Sequence, residues 1–508
     1  MVDSRAAEES YLVLGWQVTP SGEPQYWCNS DARPGSPAQE EYLVKIPAGV
    51  MGTHAAIIAQ SGSGKSFFLG RLIEELMLRT KAHCIVLDPN ADFRRIDEIE
   101  DQALWTHARY DATKRRGKLP HEGSREEFEE QWSRIQIQIK GRGFGQRGDN
   151  RERLTLWWPS LSVEFLGEDL DPILRSDLYH CHSFVQALET LWRHKRRKGR
   201  TPINLFAEAT KLFRTTRGKT ENELRAQLEQ DFLSKEERDA LSGNKSPGTG
   251  DFDLHDFIRT LRLKLANNAI ERLLAAAQYV SEDVERFYFG KAREYMASGI
   301  LETKLGAERF NVTKRGRLQV IDLPSLPDKG TRLLAINALL TTVWEEARRA
   351  WDSALKKPED KDTRVPTFVV VDEAHNLIPA DPRTRAETAL IEQFRTIIAE
   401  GRKYGLFLVL VSQRPDKLDS LILSECENRA IMKLGSATVL NKTKQMLGLE
   451  AIPLELLEKL LEFEKGRVML IGNWAPAGPQ TIYSAPRRTK EGGRNLREQH
   501  WAIPAEQD

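Results

Sequence analysis

Short, almost unbroken apolar runs recur along this chain: Ala55 to Ala59, Cys84 to Leu87, Leu318 to Leu323, Phe368 to Val371, Leu406 to Val411 and Val468 to Ile471. A strand with one wet face alternates apolar and polar residues. A run without alternation suits a strand buried on both faces, as in a parallel sheet covered by helices. Helical periodicity links the runs: Leu333, Ile336, Leu340 and Val343 share one face, as do Leu390, Phe394, Ile397 and Ile398 ahead of Gly401. The expected fold class is α/β with a mostly parallel sheet. At 508 residues the chain is long enough for two or three structural units.

Between 166 and 300 the pattern changes to long amphipathic helices, such as Leu254, Phe257, Ile258, Leu261 and Leu265, then Ile270, Leu273, Leu274 and Ala277. The expected organisation is a short strand-rich assembly segment over 1–48, a first part of the α/β core over 49–165, a helical insertion over 166–300, a second part of the core over 301–485, and a tail over 486–508. Strand-like pieces in the first segment run from Tyr11 to Val18 and from Tyr42 to Ile46. Breaker- and charge-rich stretches at 141–153, 241–251 and 356–364 read as exposed loops.

Residues 55 to 66 read AAIIAQSGSGKS, an apolar run, a glycine-rich turn, then the opening of a helical stretch. That order of parts makes a nucleotide-phosphate cradle: backbone N–H groups of the turn and helix N-terminus face the phosphates, a lysine adds a point charge, and a hydroxyl ligates magnesium. Ser61, Gly62, Ser63, Gly64, Lys65, Ser66 and Phe67 form the candidate nucleotide-binding set, with Lys65 on the phosphates and Ser66 on the metal. Ala59 stands where the usual pattern has its first glycine, which demands ordinary backbone angles there.

The strand TFVVV is followed by Asp372 and Glu373. A carboxylate at a strand end can hold magnesium through its water shell, and its neighbour can polarise an attacking water. Asp372 takes the metal role and Glu373 the base role. The strand LFLVLV ends in Ser412, Gln413, Arg414 and Pro415. Gln413 is either a sensor of the γ-phosphate or lytic water, or an amide that satisfies loop backbone. ATP and Mg2+ are the cofactors this set of residues implies.

With 75 basic and 74 acidic residues the chain is nearly neutral, so a polyanionic or membrane partner needs a local patch. The cysteines, at 28, 84, 181 and 426, form no C-x-x-C pair, which excludes a zinc ribbon or disulfide framework and fits a reducing, cytoplasmic setting. His180-Cys181-His182 is a poor metal set, because neighbouring side chains diverge. No run reaches the roughly 18 to 20 apolar residues of a membrane span, and the first residues, MVDSRAAEES, are acidic and polar, so a soluble, uncleaved protein is expected.

Seven segments in order, VLDPNADF (86–93), LQVIDLPSLPDKGTRLLA (318–335), VVVDEAHNLIP (369–379), AEGRKYG (399–405), LVLVSQRP (408–415), KGRVMLIG (465–472) and PRRTKEGG (486–493), resemble HerA, of the HerA–FtsK group of hexameric DNA-pumping ATPases. The resemblance implies a RecA-like core, a homohexameric ring around double-stranded DNA, and ATP at subunit interfaces. It also implies that Arg402 of AEGRKYG is the arginine finger reaching a neighbour's γ-phosphate; the alternative is a solvated basic helix end. The segment before the cradle is shorter than the β-barrel domain of typical HerA motors, so a reduced barrel or assembly arm is expected. HerA-like proteins of bacterial antiviral systems are similar in this, and there the ring works with a nuclease or an NAD-consuming effector.

The function expected is therefore a DNA translocase or helicase-type ATPase in antiphage defence or DNA-end processing. The alternatives are an ATP-dependent scaffold for an effector and a soluble secretion or conjugation motor. Arg383 and Arg385, in the loop after the Asp372–Glu373 pair, are the candidate DNA contacts; the basic clusters at 114–118, 140–153 and 192–200 read rather as solvated faces.

Overall fold

The computed structural model describes residues 11–18, 43–100, 125–142, 151–158, 161–165, 172–195, 203–242, 254–279, 281–297, 300–302, 304–305, 317–358 and 361–492. The chain forms two compact units: Met1–Leu154 together with Asn311–Asp508, and Thr155–Phe310.

The first unit is built on one 12-stranded sheet. Its strands are β1 (Tyr11–Gln17), β2 (Leu43–Pro47), β3 (Ala55–Ile58), β4 (His83–Asp88), β5 (Ile137–Gly141) and β6 (Arg151–Arg153). The chain then passes through the second unit, which holds the short strands β7 (Leu156–Trp157), β8 (Ile203–Asn204), β9 (Leu301–Glu302) and β10 (Lys304–Leu305). It returns as β11 (Leu318–Asp322), β12 (Thr367–Val371), β13 (Leu406–Ser412), β14 (Asn428–Ile431), β15 (Arg467–Ile471) and β16 (Gln480–Ser484). The order across the sheet is β2-β1-β16-β15-β14-β3-β13-β12-β4-β11-β5-β6. Every pairing from β14 to β6 is parallel, and every pairing from β14 to β2 is antiparallel.

β3, β11, β12 and β13 are buried at every residue, as suits their largely apolar sequences. The helix α1 (Lys65–Arg79) covers one face through Phe68, Leu69, Leu72, Ile73, Leu76 and Met77, in one cluster with Val409 and Val411 of β13. Alternation turns Leu408 and Leu410 to the other face. There α3 (Arg385–Tyr404) packs on β13 and beside α2 (Lys329–Ala354). This is the α/β, RecA-like architecture expected from the sequence. β13 stands between the cradle strand β3 and β12, so the chain leaving β3 through α1 crosses two strands before entering β4.

The strands read near the N-terminus are present, and they lie at one edge of the main sheet. β1 lies between β2 and β16, and it is lashed to α1 by a buried ion pair. Arg71 and Glu75 meet at 2.9 Å; Glu75 accepts from the Val13 N–H at 2.9 Å and Arg71 donates to the Val13 carbonyl at 3.2 Å. These contacts fall beside the β1–β2 register shift, between Val13 and Gly15, and they satisfy the Val13 N–H and carbonyl.

The second unit, Thr155–Phe310, is mostly helical among its described residues. Its two-residue strands pair β7 with β9 and β8 with β10, too short to read from alternation. The helix Pro172–Lys195 packs against Leu254–Ala277, and Trp158, Phe206, Tyr288 and Phe289 interlock by tilted and edge-on ring contacts.

Gly15 tests the closeness of β1 to β16. A Cβ there would lie 2.0 Å from the Tyr483 carbonyl oxygen, which the sheet holds in place. Gly15→Ala should lower stability by about 2 kcal/mol, read as an earlier midpoint in urea unfolding followed by tryptophan fluorescence. An unchanged midpoint would mean that β1 sits further from β16.

Candidate nucleotide site

The parallel strands all end on one edge, and that edge carries the site, as expected for a sheet whose strand order changes direction. β3 ends at Ile58, beside Ser412 of β13 and Ile431 of β14. Ala59 donates its N–H to the Ser412 carbonyl at 3.1 Å and Gln60 donates to Lys433 at 2.9 Å, so neighbouring strands fix the start of the loop. Ala59 is not among the positive-φ residues, which is why alanine serves there. The turn is made by Gly62 at φ 78° and Gly64 at φ 101°, and Gly64 is the N-cap of α1. The Gly64 carbonyl accepts from Phe67 and Phe68 at 3.1 and 3.0 Å, closing the first turn so that the amides ahead of it point out of the helix end.

Lys65 lies on this helix end and is only 6% exposed. Its Nζ is 2.6 Å from Asp372 Oδ1 and 2.6 Å from Glu373 Oε1. Burial works against the charged ammonium, but the two carboxylates outweigh it and the Lys65 pKa is raised. Burial also raises the Asp372 carboxyl, against the pull of Lys65. Asp372 Oδ2 is buried with no hydrogen-bond partner. A buried carboxylate with an unused oxygen and a raised pKa suits a cation. Among the described residues no group of three or more His, Cys, Asp or Glu is arranged to hold a metal alone. That donor set fits magnesium, which takes one or two protein oxygens and fills its shell from phosphates and water.

Glu373 has φ 45° and ψ 47°, a left-handed conformation that a β-carbon disfavours. The strained residue turns the chain out of β12, and its side chain meets Lys65 on Oε1 and also accepts from Gln413 Nε2. His375 Nδ1 stands 3.4 Å from Glu373 Oε2 and 3.1 Å from Ser412 Oγ, with its pKa lowered mainly by burial. The structure thus brings together Lys65, Asp372, Glu373 and Gln413, four residues read from three separate segments. Gln413 bonds a side chain of the site, not loop backbone.

Ser66 Oγ donates to Asp92 Oδ2 at 2.8 Å. Asp92 belongs to VLDPNADF and was not read as a site residue, nor was Asp88 before it. Asp88 is fully buried and accepts from the N–H groups of Phe93 at 2.8 Å, Asp92 at 3.1 Å and Asn90 at 3.3 Å, which folds 88–93 into a tight turn. Ala91 in that turn has φ 62°. Asp322, Asp88 and Asp372 thus sit at the tips of neighbouring strands β11, β4 and β12, each 0% exposed. The available signal was an acidic residue closing each of two further apolar runs, VLD and VID.

Arg402 is elsewhere. It precedes β13, whereas Gln413 follows it, and seven residues at about 3.3 Å each separate the two strand ends by roughly 20 Å. Arg402 therefore cannot reach the phosphate cradle of its own chain; its exposed side chain pairs with Glu427 at 3.1 Å. The glycines of AEGRKYG have structural reasons. Gly405, at φ 76°, reverses the chain, and a Cβ at Gly401 would lie 2.6 Å from the Leu406 carbonyl oxygen.

Arg383 and Arg385 are exposed on either side of Thr384, which caps α3 in a capping box with Glu387. Their loop touches the one after β13, since Ala380 donates to the Lys417 carbonyl at 2.9 Å, and Arg414 and Lys417 of that loop are exposed, as are Asp381 and Asp416. Lys195 lies 5.2 Å over Trp192 and 5.5 Å over Phe232. The clusters' residues 114–118, 143–150 and 196–200 lie outside the described residues, as do 493–508 of the expected tail.

The family model for the central domain of the helicase HerA matches residues 33–343. The chain belongs to this family. It is 29% identical over 222 residues to the DNA double-strand break repair helicase HerA of Sulfolobus acidocaldarius, covering 43% of this chain and 40% of that protein. It is 35% identical over 112 residues to a probable helicase of Methanocaldococcus jannaschii, covering 22% of this chain and 21% of that protein. The chain thus spans two fifths or less of the length of these curated relatives. Among solved structures it is similar to the plasmid coupling protein TrwB in complex with ADP and Mg2+, at 14% identity and TM-score 0.42, covering 96% of each chain. It is also similar to VirB4 of Thermoanaerobacter pseudethanolicus, at 13% identity and TM-score 0.41, covering 94% of this chain and 96% of that one. Among the described residues no helix is long and apolar enough to cross a membrane.

The buried carboxyls make the nucleotide-free protein sensitive to pH. Burial pushes Asp88 up to about 7, with Asp92 and Asp372 adding to the rise against the pull of its backbone hydrogen bonds. Below about pH 4 it is protonated whether the chain is folded or not. As pH rises toward 7 the folded chain keeps a proton that the unfolded chain has released, so stability falls through this window. Asp88→Asn should flatten that fall, measured as urea midpoints near pH 5 and pH 8 without nucleotide. Equal pH slopes in variant and wild type would show that Asp88 ionises normally.

Proposed function

We propose that this chain is a Mg2+-dependent ATPase of the DNA-translocating type, acting as a homohexameric ring on double-stranded DNA. The observation that carries the reading is the buried contact of Lys65 with Asp372 and Glu373, with Gln413 on Glu373. Ser66 and Asp372 would hold the magnesium ion, which when bound neutralises charge on the transferring phosphoryl oxygens. The α1 N-terminal amides and Lys65 bind and orient the phosphates. Glu373, once Lys65 turns to the nucleotide, takes the proton of the attacking water, and Gln413 positions that carboxylate. Arg402 acts on the nucleotide of an adjacent subunit, a role supported by its distance from its own cradle. Arg383 and Arg385 contact DNA phosphates. An effector subunit, a nuclease or an NAD-consuming enzyme, completes the assembly in antiphage defence or DNA-end processing; its support is the resemblance to HerA-like proteins of bacterial antiviral systems in the short segment before the cradle.

Glu373→Gln keeps shape and removes the base, so bound ATP should be retained while steady-state hydrolysis falls by roughly a hundredfold or more. The check is nucleotide retention on a filter beside phosphate release. Hydrolysis at the wild-type rate would remove Glu373 from the mechanism.

Arg402→Ala and Lys65→Ala should each be inactive alone, yet mixed rings contain interfaces with an intact cradle facing an intact arginine. Partial ATPase activity should return on mixing. No recovery in rings shown to be mixed would leave Arg402 with a structural role.

Binding through phosphates releases counterions, so duplex affinity should fall steeply with salt and vary little with sequence. Replacing Arg383 and Arg385 with alanine should reduce the salt slope by up to about 2 in log–log terms and uncouple ATPase from DNA. An ATPase indifferent to DNA at low salt would support the scaffold alternative.

A further inference from the structure

The C-terminal segment 486–492 packs along α1 and the 88–93 turn. Glu74 of α1, 1% exposed, accepts from the N–H groups of Arg488 and Thr489 at 2.9 and 2.8 Å and from the Thr489 hydroxyl at 2.9 Å. Lys490 donates its N–H to the Glu98 carbonyl at 2.8 Å, and Gly492 donates to the Asp92 carbonyl at 2.9 Å. The approach is close enough that a Cβ at residue 492 would lie 1.8 Å from the Ala91 carbonyl oxygen.

Arg487 is the centre of this strap. It is 2% exposed and fits a notch left by Gly70 on α1, where a Cβ would fall 2.3 Å from the arginine Cδ. Its guanidinium lies 4.8 Å over the Phe93 ring and donates to the Asp92 carbonyl at 3.3 Å, the Lys490 carbonyl at 2.7 Å and Thr489 Oγ1 at 3.1 Å. These acceptors are all neutral. The carboxylates of Glu74, Glu491, Asp92 and Asp88 lie near enough to offset part of the cost of burying the guanidinium, and the planar fork reaches acceptors on both the strap and the turn. The residue so held by its carbonyl is Asp92, whose carboxylate meets Ser66 at the cradle.

We propose that Arg487 is a positioning residue for the metal side of the nucleotide site: the strap sets Asp92 against Ser66, and Asp92 orders the water shell of the cation. This rests on the Mg2+-nucleotide reading above. Sequence reasoning places Arg487 in a tail, far from the chemistry.

The test uses the full chain and a fluorescent ATP analogue, titrated with and without Mg2+. Arg487→Ala should raise the half-saturating Mg2+ about tenfold, as loss of outer-sphere support does, and leave Mg2+-free binding unchanged. Amide exchange across 88–93 should quicken in the nucleotide-free protein. Asp92→Asn should raise the Mg2+ requirement similarly, and the double variant should go no further, because both act through one carboxylate. Gly70→Ala, which by helix propensity alone favours α1, should also raise it by displacing Arg487, and it serves as the test if Arg487→Ala does not fold. An unaltered Mg2+ requirement in either folded variant, an equal loss with and without Mg2+, or additivity with Asp92→Asn would overturn the assignment while leaving the ATPase reading in place. A wild-type protein that binds no nucleotide with Mg2+ would overturn both.

Discussion

One buried ammonium organises the nucleotide site. Lys65 is enclosed with two carboxylates at 2.6 Å, and each charge is tolerated because the others are there. The arrangement is self-consistent only without a phosphate. On the proposed function, a polyphosphate at the helix end would compete for Lys65, and a divalent cation arriving with it would offer Asp372 a replacement partner. The exchange keeps the buried charge nearly balanced, so nucleotide can enter without leaving an unpaired ion. It would also free the Glu373 carboxylate from the Lys65 ammonium that occupies it.

The sheet makes this exchange possible by bringing distant segments to one edge. Lys65 and Asp372 are 307 residues apart in sequence, yet β3, β13 and β12 stand in order and end together. Gln413 continues β13, between the cradle strand and the carboxylate strand, and from there it reaches Glu373. The left-handed backbone at Glu373 is strain held at the point where the chain must leave β12 with its side chain turned toward the cradle. Arg402 lies at the opposite end of the same strand, paired with Glu427.

Much of this is legible in the sequence, for physical reasons. Runs such as FVVV and LFLVLV admit few structures other than buried parallel strands, and a glycine turn leading into Lys65 and Ser66 is a local feature that needs no tertiary context. Asp372 and Glu373 follow because strand ends are local too. What escaped depends on long-range contacts. Asp92 becomes a site residue only because a turn built on the buried Asp88 carboxylate aims it at Ser66. β1 and β2 join the main sheet because Arg71 and Glu75, which look like a surface i,i+4 pair, are instead buried against a bulged strand. Arg487 lies in a segment with no periodicity, and its place is set by a notch at Gly70 more than four hundred residues earlier. The two-residue strands of the second unit carry no pattern that alternation could show.

The central claim is that Lys65 changes partners when nucleotide binds. A crystal structure of the chain with Mg2+ and a non-hydrolysable ATP analogue tests it directly. The account predicts Lys65 Nζ on the phosphates and beyond hydrogen-bond reach of Glu373, with the cation on the Asp372 side. Lys65 still bound to both carboxylates while the analogue occupies the cradle would contradict it.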